Sequence, residues 1–523
     1  MKRKLYTAFV FIFFISSLHA QTPDWSTNIA SIVYSNCSVC HHEGAIAPFA
    51  LMSYADAVDN GFNMQSQINA KKMPPWPADP NYSHFWDEKV LSEEDVTSIN
   101  DWVNNGMPSG DLSLAPPTPV FNGGAIMTNP DEVFKLPVYT IPSDTDEYRS
   151  FVVHSNYTEP MYINSIDFVA GDPSSVHHVV FLFDTSEISW NKEIADTIPG
   201  YETGGFGNPS LYSETWGGWN PGRGLAYLPP NMGWEILPGA DFVFDIHYAP
   251  GNVGKVDSSK LLLKYCTLPD SDIRRVYQQR FLIQTPPSLQ DGPLKIQPNQ
   301  VKTFHEQSII LSEKSCLGVA PHSHLICTSW KVFMLDAVGD TTNMLYIPQW
   351  DFNWQYSYMF TQVMKIPEGA QFFGVGVFDN TTNNPNNPNN PPKLVEAGPS
   401  STDEMMNCRF WLMNYEEGDE NIILDSAFYG LPTGTPEISN ALSLNIFPNP
   451  AADVIHFTAD LTEHQITWAL YNFYGSIVKS SNQKGIANGI YFQSLDVSKL
   501  SRGTYLLKVQ SGDKVVSEKI EIQ

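Results

Sequence analysis

Five histidines in the middle of the chain are the residues best placed for chemistry. They lie in three short segments with the composition of strands: His177-His178 opens HHVVFLF, His247 ends FVFDIHY, and His322 and His324 lie in PHSHLIC. Neutral imidazole is a common ligand of copper, zinc and iron. A single histidine is more often structural, but this grouping predicts metal binding.

Strand geometry decides which of these histidines can share a metal. Residues two apart face the same side of a strand, so His322 and His324 form a ready chelating pair. His177 and His178 would face opposite sides of a regular strand. To bind one metal they need a β-bulge, or different ring nitrogens turned toward it.

The strand that ends at His247 has two distinct faces. Phe242, Phe244 and Ile246 alternate along one face, which should pack on a core. His247 falls on the other face together with Asp245. This position suits a ligand better than a core residue.

A thioether follows later in the chain, in the sequence TDEMMNC. Met405 is the predicted ligand and Met406 the alternative. Soft sulfur combined with imidazole suits Cu(I), whereas zinc sites use Cys, His and carboxylates. These residues therefore predict copper.

Near the N-terminus, Cys37, Cys40 and His41 form a CxxCH motif. Two thiols at this spacing can form thioethers to one heme, and the adjacent histidine can then bind the iron axially. The alternatives are a redox-active CxxC pair and half of a zinc site. A redox pair usually has a βαβ context, which is absent, and no further cysteine occurs before Cys266 to complete a zinc site.

A second axial ligand is expected on a loop after the motif. Met73 fits, because two prolines and a tryptophan follow it in KKMPPW. A Met/His pair raises the heme potential, as in electron-transfer cytochromes. His42, Met64 and His84 are the rival ligands; each has an ordinary surface or packing interpretation.

Composition limits the class of protein. The chain has 523 residues, 42% of them hydrophobic, and a formal net charge of −26. Such acidity disfavours nucleic acid and anionic membranes as partners. Residues 1–20 combine Lys2, Arg3 and Lys4 with a short apolar run and a small-residue cleavage site, so we expect a signal peptide rather than a membrane anchor.

The elements that must position these residues change along the chain. Helical patterning covers Trp25–Tyr34, Tyr54–Ile68 and Ser92–Trp102. A Pro-rich linker over 112–120 follows, and then short β-branched and aromatic runs separated by turn residues, which predict two β-sandwiches. After a second linker at 430–440, residues 441–523 predict a small β-sandwich. We therefore expect a multidomain, mainly β protein with one small α-helical domain.

The region 130–428 resembles the copper type II, ascorbate-dependent monooxygenases, the group of peptidylglycine and dopamine monooxygenases. The matching landmarks are the His-His pair, the His-Tyr strand end, Pro-His-x-His, Asp-Glu-Met and, as in bacterial members, PQWDFNWQ at 348–355 and the Asn-Pro-rich loop after Asp379-Asn380. The resemblance implies two jelly-roll-like copper domains, at 121–275 and 276–430. It also implies hydroxylation of a substrate C–H bond with O2.

The same resemblance implies the ligands of two copper ions. His177, His178 and His247 would bind the electron-transfer copper. The oxygen-activating copper would be bound by His322, His324 and Met405, which are thus the predicted catalytic residues.

This sequence departs from the animal members of the group at several positions. The residue after the methionine ligand is Met406 where they have Cys, and Ala320 stands where the peptidyl enzyme has a carboxylate-binding Arg. A glycine-extended peptide substrate is therefore not expected. Four cysteines allow three full pairings, and the sequence does not choose among them. They are Cys266, Cys316, Cys327 and Cys408.

Two further resemblances concern the ends of the chain. Residues 24–110 resemble small c-type cytochrome domains in the CxxCHxxG motif, the MPPW turn and the Trp-x-x-x-Gly end, which implies one covalently bound heme c. Residues 441–523, which carry a Phe-Pro-Asn-Pro motif at 447–450, resemble the sorting domain of the type IX secretion system. That implies export through the periplasm of a Gram-negative bacterium to the surface or the medium; an ordinary accessory β-domain is the alternative.

These predictions combine into a secreted or surface copper monooxygenase with a fused cytochrome. Its partners would be O2, a small organic substrate, an electron donor (an ascorbate-like reductant or a redox protein) and the secretion machinery. The alternative is an electron-transfer or copper-binding surface protein that does not hydroxylate.

Overall fold

The fold was analysed in a computed structural model. It describes residues 22–119, 121, 125–127, 129–203, 215–221, 226–229, 231–398, 400–424, 444–452, 454–461, 465–472, 477–484, 489–512 and 514–523. The predicted signal peptide and the linker at 430–440 lie outside these residues. The chain forms two compact units, Met1–Thr435 and Pro436–Gln523.

The N-terminal part of the first unit is helical, as predicted. Serine side chains cap two of the helices: Ser53 accepts from the Asp56 N–H at 3.2 Å and Ser92 accepts from the Asp95 N–H at 3.0 Å. A buried core that includes Trp25 and Trp102 joins the helices. The helices are a π-helical segment Trp25–Ile29 continuing into α1 (Ala30–Asn36), α2 (Tyr54–Asn69) and α3 (Glu93–Asn104).

The first β-sandwich follows the linker, in which Leu112–Leu114 forms a single 3₁₀ turn. Its elements are β1 (Glu132–Lys135), β2 (Tyr139–Thr140), β3 (Glu147–His154), β4 (Met161–Val169), β5 (Val176–Asp184), α4 (Ile188–Ala195), β6 (Tyr201–Glu202), β7 (Thr215–Trp219), β8 (Ala226–Tyr227), β9 (Met232–Ile236), β10 (Asp241–Tyr248), β11 (Val256–Asp257), β12 (Lys260–Tyr265) and β13 (Arg274–Arg275). One sheet has the order β1-β12-β4-β9-β13, with β8 beside β4, and the other has the order β6-β3-β10-β5-β7. Rings of Phe168 and Phe181 meet at 5.7 Å between the two sheets.

The second β-sandwich is built from two four-stranded sheets, ordered β14-β23-β17-β20 and β16-β21-β18-β19. Its strands are β14 (Tyr277–Ile283), β15 (Lys295–Ile296), β16 (Gln300–Ile309), β17 (Lys314–Ser323), β18 (Cys327–Leu335), β19 (Thr341–Ile347), β20 (Tyr358–Ile366), β21 (Gln371–Asn380), β22 (Val395–Glu396) and β23 (Met406–Asn414). Phe372 and Phe410 stack at 4.1 Å between the sheets. Trp411 faces the other way and meets Trp234 of the first sandwich at 5.9 Å, so the two sandwiches share a packed boundary.

A segment of the predicted cytochrome domain belongs to the core of the second sandwich. Trp76 and Phe85 are buried among its aromatic residues. Phe85 pairs with Phe360 as an antiparallel bridge, and the Trp86 N–H donates to the Met359 carbonyl at 3.1 Å. We call residues 74–89 the strap, since they fasten the helical part of the chain to the second sandwich.

The second unit forms two small sheets, as expected for a small β-sandwich. Its strands are β24 (Leu444–Phe447), β25 (Val454–Leu461), β26 (Gln465–Tyr471), β27 (Ile477–Lys484), β28 (Gly489–Asp496), β29 (Gly503–Ser511) and β30 (Lys514–Ile522). Among the described residues, no helix combines the length and apolarity needed to cross a membrane. The prediction of a multidomain, mainly β protein is confirmed.

Candidate metal centres

Three histidines from two neighbouring strands of the first sandwich form one cluster. In the pairing of β10 with β5, His247 lies opposite His178, but Tyr248 lies opposite Val176. His177 is therefore the extra residue of a β-bulge, which turns its side chain out of the regular alternation. The structure thus has the bulge that sharing a metal would require.

The ring nitrogens of this cluster converge. The Nδ1 atom of His177 lies 3.0 Å from that of His178 and 3.2 Å from that of His247. One nitrogen from each ring falls within a set whose members all lie within 4.8 Å of one another. This spacing could be spanned by one metal ion bound to three Nδ1 atoms.

Neighbouring oxygens orient two of the three rings. The His247 Nε2–H donates to Asp146 Oδ1 at 2.7 Å, and the His177 Nε2–H donates to Asn353 Oδ1 at 3.2 Å. Each bond fixes the tautomer that leaves the Nδ1 lone pair for a metal. Asp146 and Asn353 had no assigned role in the sequence; Asn353 comes from the second sandwich, a contact that no local pattern reveals.

Burial keeps two of these histidines neutral. It lowers the pKa of His177, and it lowers the pKa of His178 well below its usual value, with the charge of His247 adding to both effects. A neutral imidazole is the metal-binding form. Tyr148 stacks on the His247 ring at 4.2 Å, which holds that ring in place.

His322 and His324 lie at the end of β17 in the second sandwich. Their ring centroids are 5.2 Å apart and the rings are nearly perpendicular. The His322 Nδ1–H donates to Gln355 Oε1 at 2.7 Å, and the His324 Nδ1–H donates to the Asp403 carbonyl at 3.3 Å. Both Nε2 atoms therefore keep a lone pair for a metal.

The same pair is neutral. Burial, together with the charge of His324, lowers the pKa of His322 to about 3. Burial also lowers the pKa of His324. The pair has the protonation state that metal binding needs.

The structure separates the two methionines. Met405 lines a cavity together with His322 and His324. Met406 is fully buried in the core of the second sandwich, where its side chain packs beside Gly376. The side chain available to a metal at this site is that of Met405.

Glu404 joins the methionine to the histidine pair, a role that sequence reasoning missed. Its Oε1 accepts from the backbone N–H of His324 at 2.5 Å and from that of Met405 at 2.8 Å. Burial raises the pKa of this carboxyl to about 8. This buried side chain therefore holds the backbone of two predicted ligands in place.

One cavity of about 660 Å3 is lined by residues of both clusters. His178 lines it from the first sandwich, and His322, His324 and Met405 line it from the second. Its lining residues in the described part of the chain include no Asp or Glu, whereas Arg280 and Arg409 are both present.

The two arginines are neighbours by register. Arg280 lies opposite Arg409 across β14 and β23, and Arg409 lies opposite Ala320 across β23 and β17. The guanidinium that Ala320 lacks is thus supplied to the same cavity from the adjacent strand. Sequence alone missed this, since it depends on the pairing of distant strands.

The CxxCH motif lies where α1 ends. The N–H groups of Cys40 and His41 both donate to the Cys37 carbonyl, at 3.1 and 3.0 Å, which places the motif in a tight turn. The His41 Nδ1–H donates to the Phe49 carbonyl at 3.0 Å, leaving Nε2 for an iron. Burial raises the pKa of Cys37 to about 12 and lowers that of His41. This arrangement fits covalent heme.

The candidates for the second heme ligand are in different settings. Met64 is buried in the helical core. His42 stacks on Phe121 at 4.1 Å, and His84 lies 3.1 Å from Glu88. Met73 is 37% exposed and thus outside the core, so it stays the predicted ligand.

The remaining cysteines form no disulfide in the described part of the chain. Cys316, Cys327 and Cys408 are buried thiols, and Cys266 is half-buried. Burial raises the pKa of all four. None of the three possible pairings is present.

Comparison with known proteins identifies the end of the chain. Residues 445–523 match the family described as the secretion system C-terminal sorting domain. This domain indicates export by the type IX system and secretion or surface attachment in a Gram-negative bacterium of the Bacteroidetes type, with the secretion machinery as a partner. A search of curated proteins finds no match.

Solved structures give only distant likenesses. A Parabacteroides merdae β-glucuronidase is 7% identical with a TM-score of 0.13, covering 43% of this chain and 29% of its own. A Ruminococcus gnavus β-glucuronidase is 10% identical with a TM-score of 0.14, covering 73% and 45%. The BSP domain of a biofilm-associated protein is 12% identical with a TM-score of 0.13, covering 75% and 81%. This chain spans less than half of either glucuronidase, and scores this low carry no argument about function.

Proposed function

We propose that this protein is an exported copper-dependent monooxygenase that hydroxylates a C–H bond of a small organic substrate with O2. The observation that carries the proposal is the presence of two histidine clusters on different sandwiches, one of which reaches through His178 the same cavity that His322, His324 and Met405 line. Residues 24–110 would hold a c-type heme that passes electrons to the copper sites.

The donor sets support copper at both sites. Three imidazoles suit a copper that changes oxidation state, and two imidazoles with a thioether favour Cu(I). When bound, copper supplies the one-electron steps and the activation of O2 that hydroxylation needs. Asp146, Asn353, Gln355 and the Asp403 carbonyl keep the ligand rings in fixed tautomers.

The cavity also suits a particular kind of substrate. Arg280 and Arg409 give it positive charge within a chain whose net charge is −26. Arginine binds carboxylate and phosphate groups in a two-pronged geometry. We therefore expect the substrate to carry an anionic group.

The decisive experiment starts from exported protein loaded with heme and copper. We expect one iron and two copper ions per chain, and O2 uptake coupled to alcohol formation with ascorbate and a panel of small organic acids. Loaded protein that takes up O2 with none of these compounds would contradict the proposal.

Met405→Ala separates hydroxylation from simple electron transfer. We expect it to abolish turnover while heme and the three-histidine copper remain, because it removes only the thioether of the second site. Product formation and copper content are the measurements. Met364→Ala, on β20, is the matched control; if both variants retain turnover, Met405 has no part in the reaction.

A further inference from the structure

One short loop of the second sandwich touches both histidine clusters. The loop, residues 353–356, lies between β19 and β20. The side chain of Asn353 contacts the His177 ring at 3.2 Å, and that of Gln355 contacts the His322 ring at 2.7 Å. The side chains of Asn353 and Gln355, which are only two positions apart in the chain, thus reach ligands that lie on different sandwiches.

The last residue of the loop faces the strap. The Tyr356 hydroxyl donates to the Pro75 carbonyl at 3.2 Å, and its ring lies 5.7 Å from that of Trp76. Tyr356 is 3% exposed and also lines the cavity. It therefore joins the helical part of the chain to the copper-binding part through buried contacts.

The strap leads from a predicted heme ligand to the same tyrosine, because Met73 stands two residues before Pro75 in the chain. Lys89, at the end of the strap, places its Nζ 5.4 Å from the centre of the Tyr356 ring. Both ends of the strap therefore contact Tyr356, through Pro75 and Trp76 at one end and Lys89 at the other.

We propose that residues 353–356 form the electron route between the heme and both copper sites. The route begins at Tyr356 and divides at Gln355, toward His322, and at Asn353, toward His177. This inference rests on the proposed function. For each electron carried, ferrous heme becomes ferric and one cupric ion becomes cuprous, and an ascorbate-like reductant or redox protein re-reduces the heme.

The covalent and hydrogen-bonded character of this path is its advantage. From Tyr356 to either ligand ring it crosses only covalent bonds within residues 353–356 and one side-chain hydrogen bond. The alternative path crosses the open cavity, which must admit substrate. Trp76 and Tyr356 are both buried, so the start of this path is held in place by packing.

The test follows heme oxidation in the full-length, heme- and copper-loaded protein without O2 or substrate. A photoexcited dye delivers one electron to the heme, and the decay of the ferrous absorbance is recorded. We expect decay in copper-loaded protein and none in copper-free protein. Tyr356→Leu should slow the decay tenfold or more.

Tyr346→Leu is the matched control, because Tyr346 also contacts the strap, through Tyr82 at 5.7 Å, but does not line the cavity. It should change the rate less than twofold. If Tyr356→Leu fails to fold, Tyr356→Phe, which keeps the ring and removes the hydrogen bond to Pro75, should slow the decay about threefold. Equal rates in the Tyr356 variant and wild type, or equal slowing by both leucine variants, would overturn the proposed route.

The two branches are resolved by the electron paramagnetic resonance of Cu(II). In variants checked for full copper content, Gln355→Leu should delay loss of the signal of the His322 site, and Asn353→Leu that of the three-histidine site. No delay in either would overturn the branching. Failure of the route leaves ascorbate-driven hydroxylation intact, whereas failure of the proposed function removes hydroxylation even with ascorbate.

Discussion

His247 is held from two sides, by the stacked ring of Tyr148 and by the carboxylate of Asp146. A carboxylate that accepts from a metal-binding histidine raises the basicity of the ligand and fixes its orientation. The hydrogen bond to His247 also lowers the pKa of Asp146, against the effect of burial. The carboxylate is therefore ionised whenever the site is ready to bind metal.

Removal of that charge should weaken the three-histidine site. We expect Asp146→Asn to lower its copper affinity about 10- to 100-fold, because outer partners of metal-ligating histidines contribute about that much. Competition with a chelator measures the change. Asp144→Asn, which alters a carboxylate that binds the Gly251 N–H instead, should leave the affinity unchanged; equal losses would assign the effect to general electrostatics.

Glu306 is a second buried carboxyl, far from any predicted ligand in sequence. It is fully buried, and burial raises its pKa to about 9. Because the unfolded chain ionises near its ordinary pKa and the folded chain does not, the folded state loses stability as pH rises from about 4.5 to about 9.

Glu306→Gln should remove this pH dependence. We expect the variant to gain stability relative to wild type at pH 8, and much less at pH 5, when urea unfolding is measured at both values. Glu313→Gln, at an exposed position paired with Lys365, serves as the control and should show no such difference. A gain equal at both pH values would mean that Glu306 is ionised in the fold.

Among the elements, the strap has the largest effect on how the chain divides into domains. Its sequence lies within the predicted cytochrome domain, yet Trp76 and Phe85 complete the core of the second sandwich. The packed core of the second sandwich therefore includes residues that the sequence assigns to the cytochrome domain.

Trp76→Ala should destabilise the second sandwich rather than the helices. Loss of a buried tryptophan costs about 3–5 kcal/mol. Urea unfolding followed by tryptophan fluorescence measures the loss, and hydrogen exchange shows where it falls. Phe62→Ala removes an aromatic ring that is 71% exposed and should cost less than about 0.5 kcal/mol; exchange that increases only in the helices would contradict the assignment.

The elements also show what sequence could and could not provide. Local patterns were enough for the three helices and for the mainly β character, because these depend on neighbouring residues. For His177 and His178 they left a bulge and different ring nitrogens as alternatives, and the structure has the bulge. The contact of Asn353 with His177, and the placement of Arg409 beside Ala320, depend on how distant strands pair. No spacing within one segment carries that information.

For the molecule as a whole, the division into two compact units separates predicted chemistry from export. All the candidate metal ligands lie in Met1–Thr435, and the matched sorting domain lies in Pro436–Gln523. Each unit has a hydrophobic core of its own. The two should therefore fold independently.

A chain that ends at Thr435 should keep the folded state and the copper content of the full protein but lose export. Thermal unfolding, metal analysis of the purified chain and the fraction of protein reaching the medium measure these properties. An intact chain with an inactivating change in the sorting domain is the control. Loss of copper on truncation would show that the second unit supports the sites.

The four cysteines outside the CxxCH motif have one more consequence. None of them is in a disulfide, and the fold depends on packed sandwiches for its stability. Many exported proteins unfold when their cross-links are reduced. With no such bond to lose, this protein should keep its structure in the presence of strong thiol reductants.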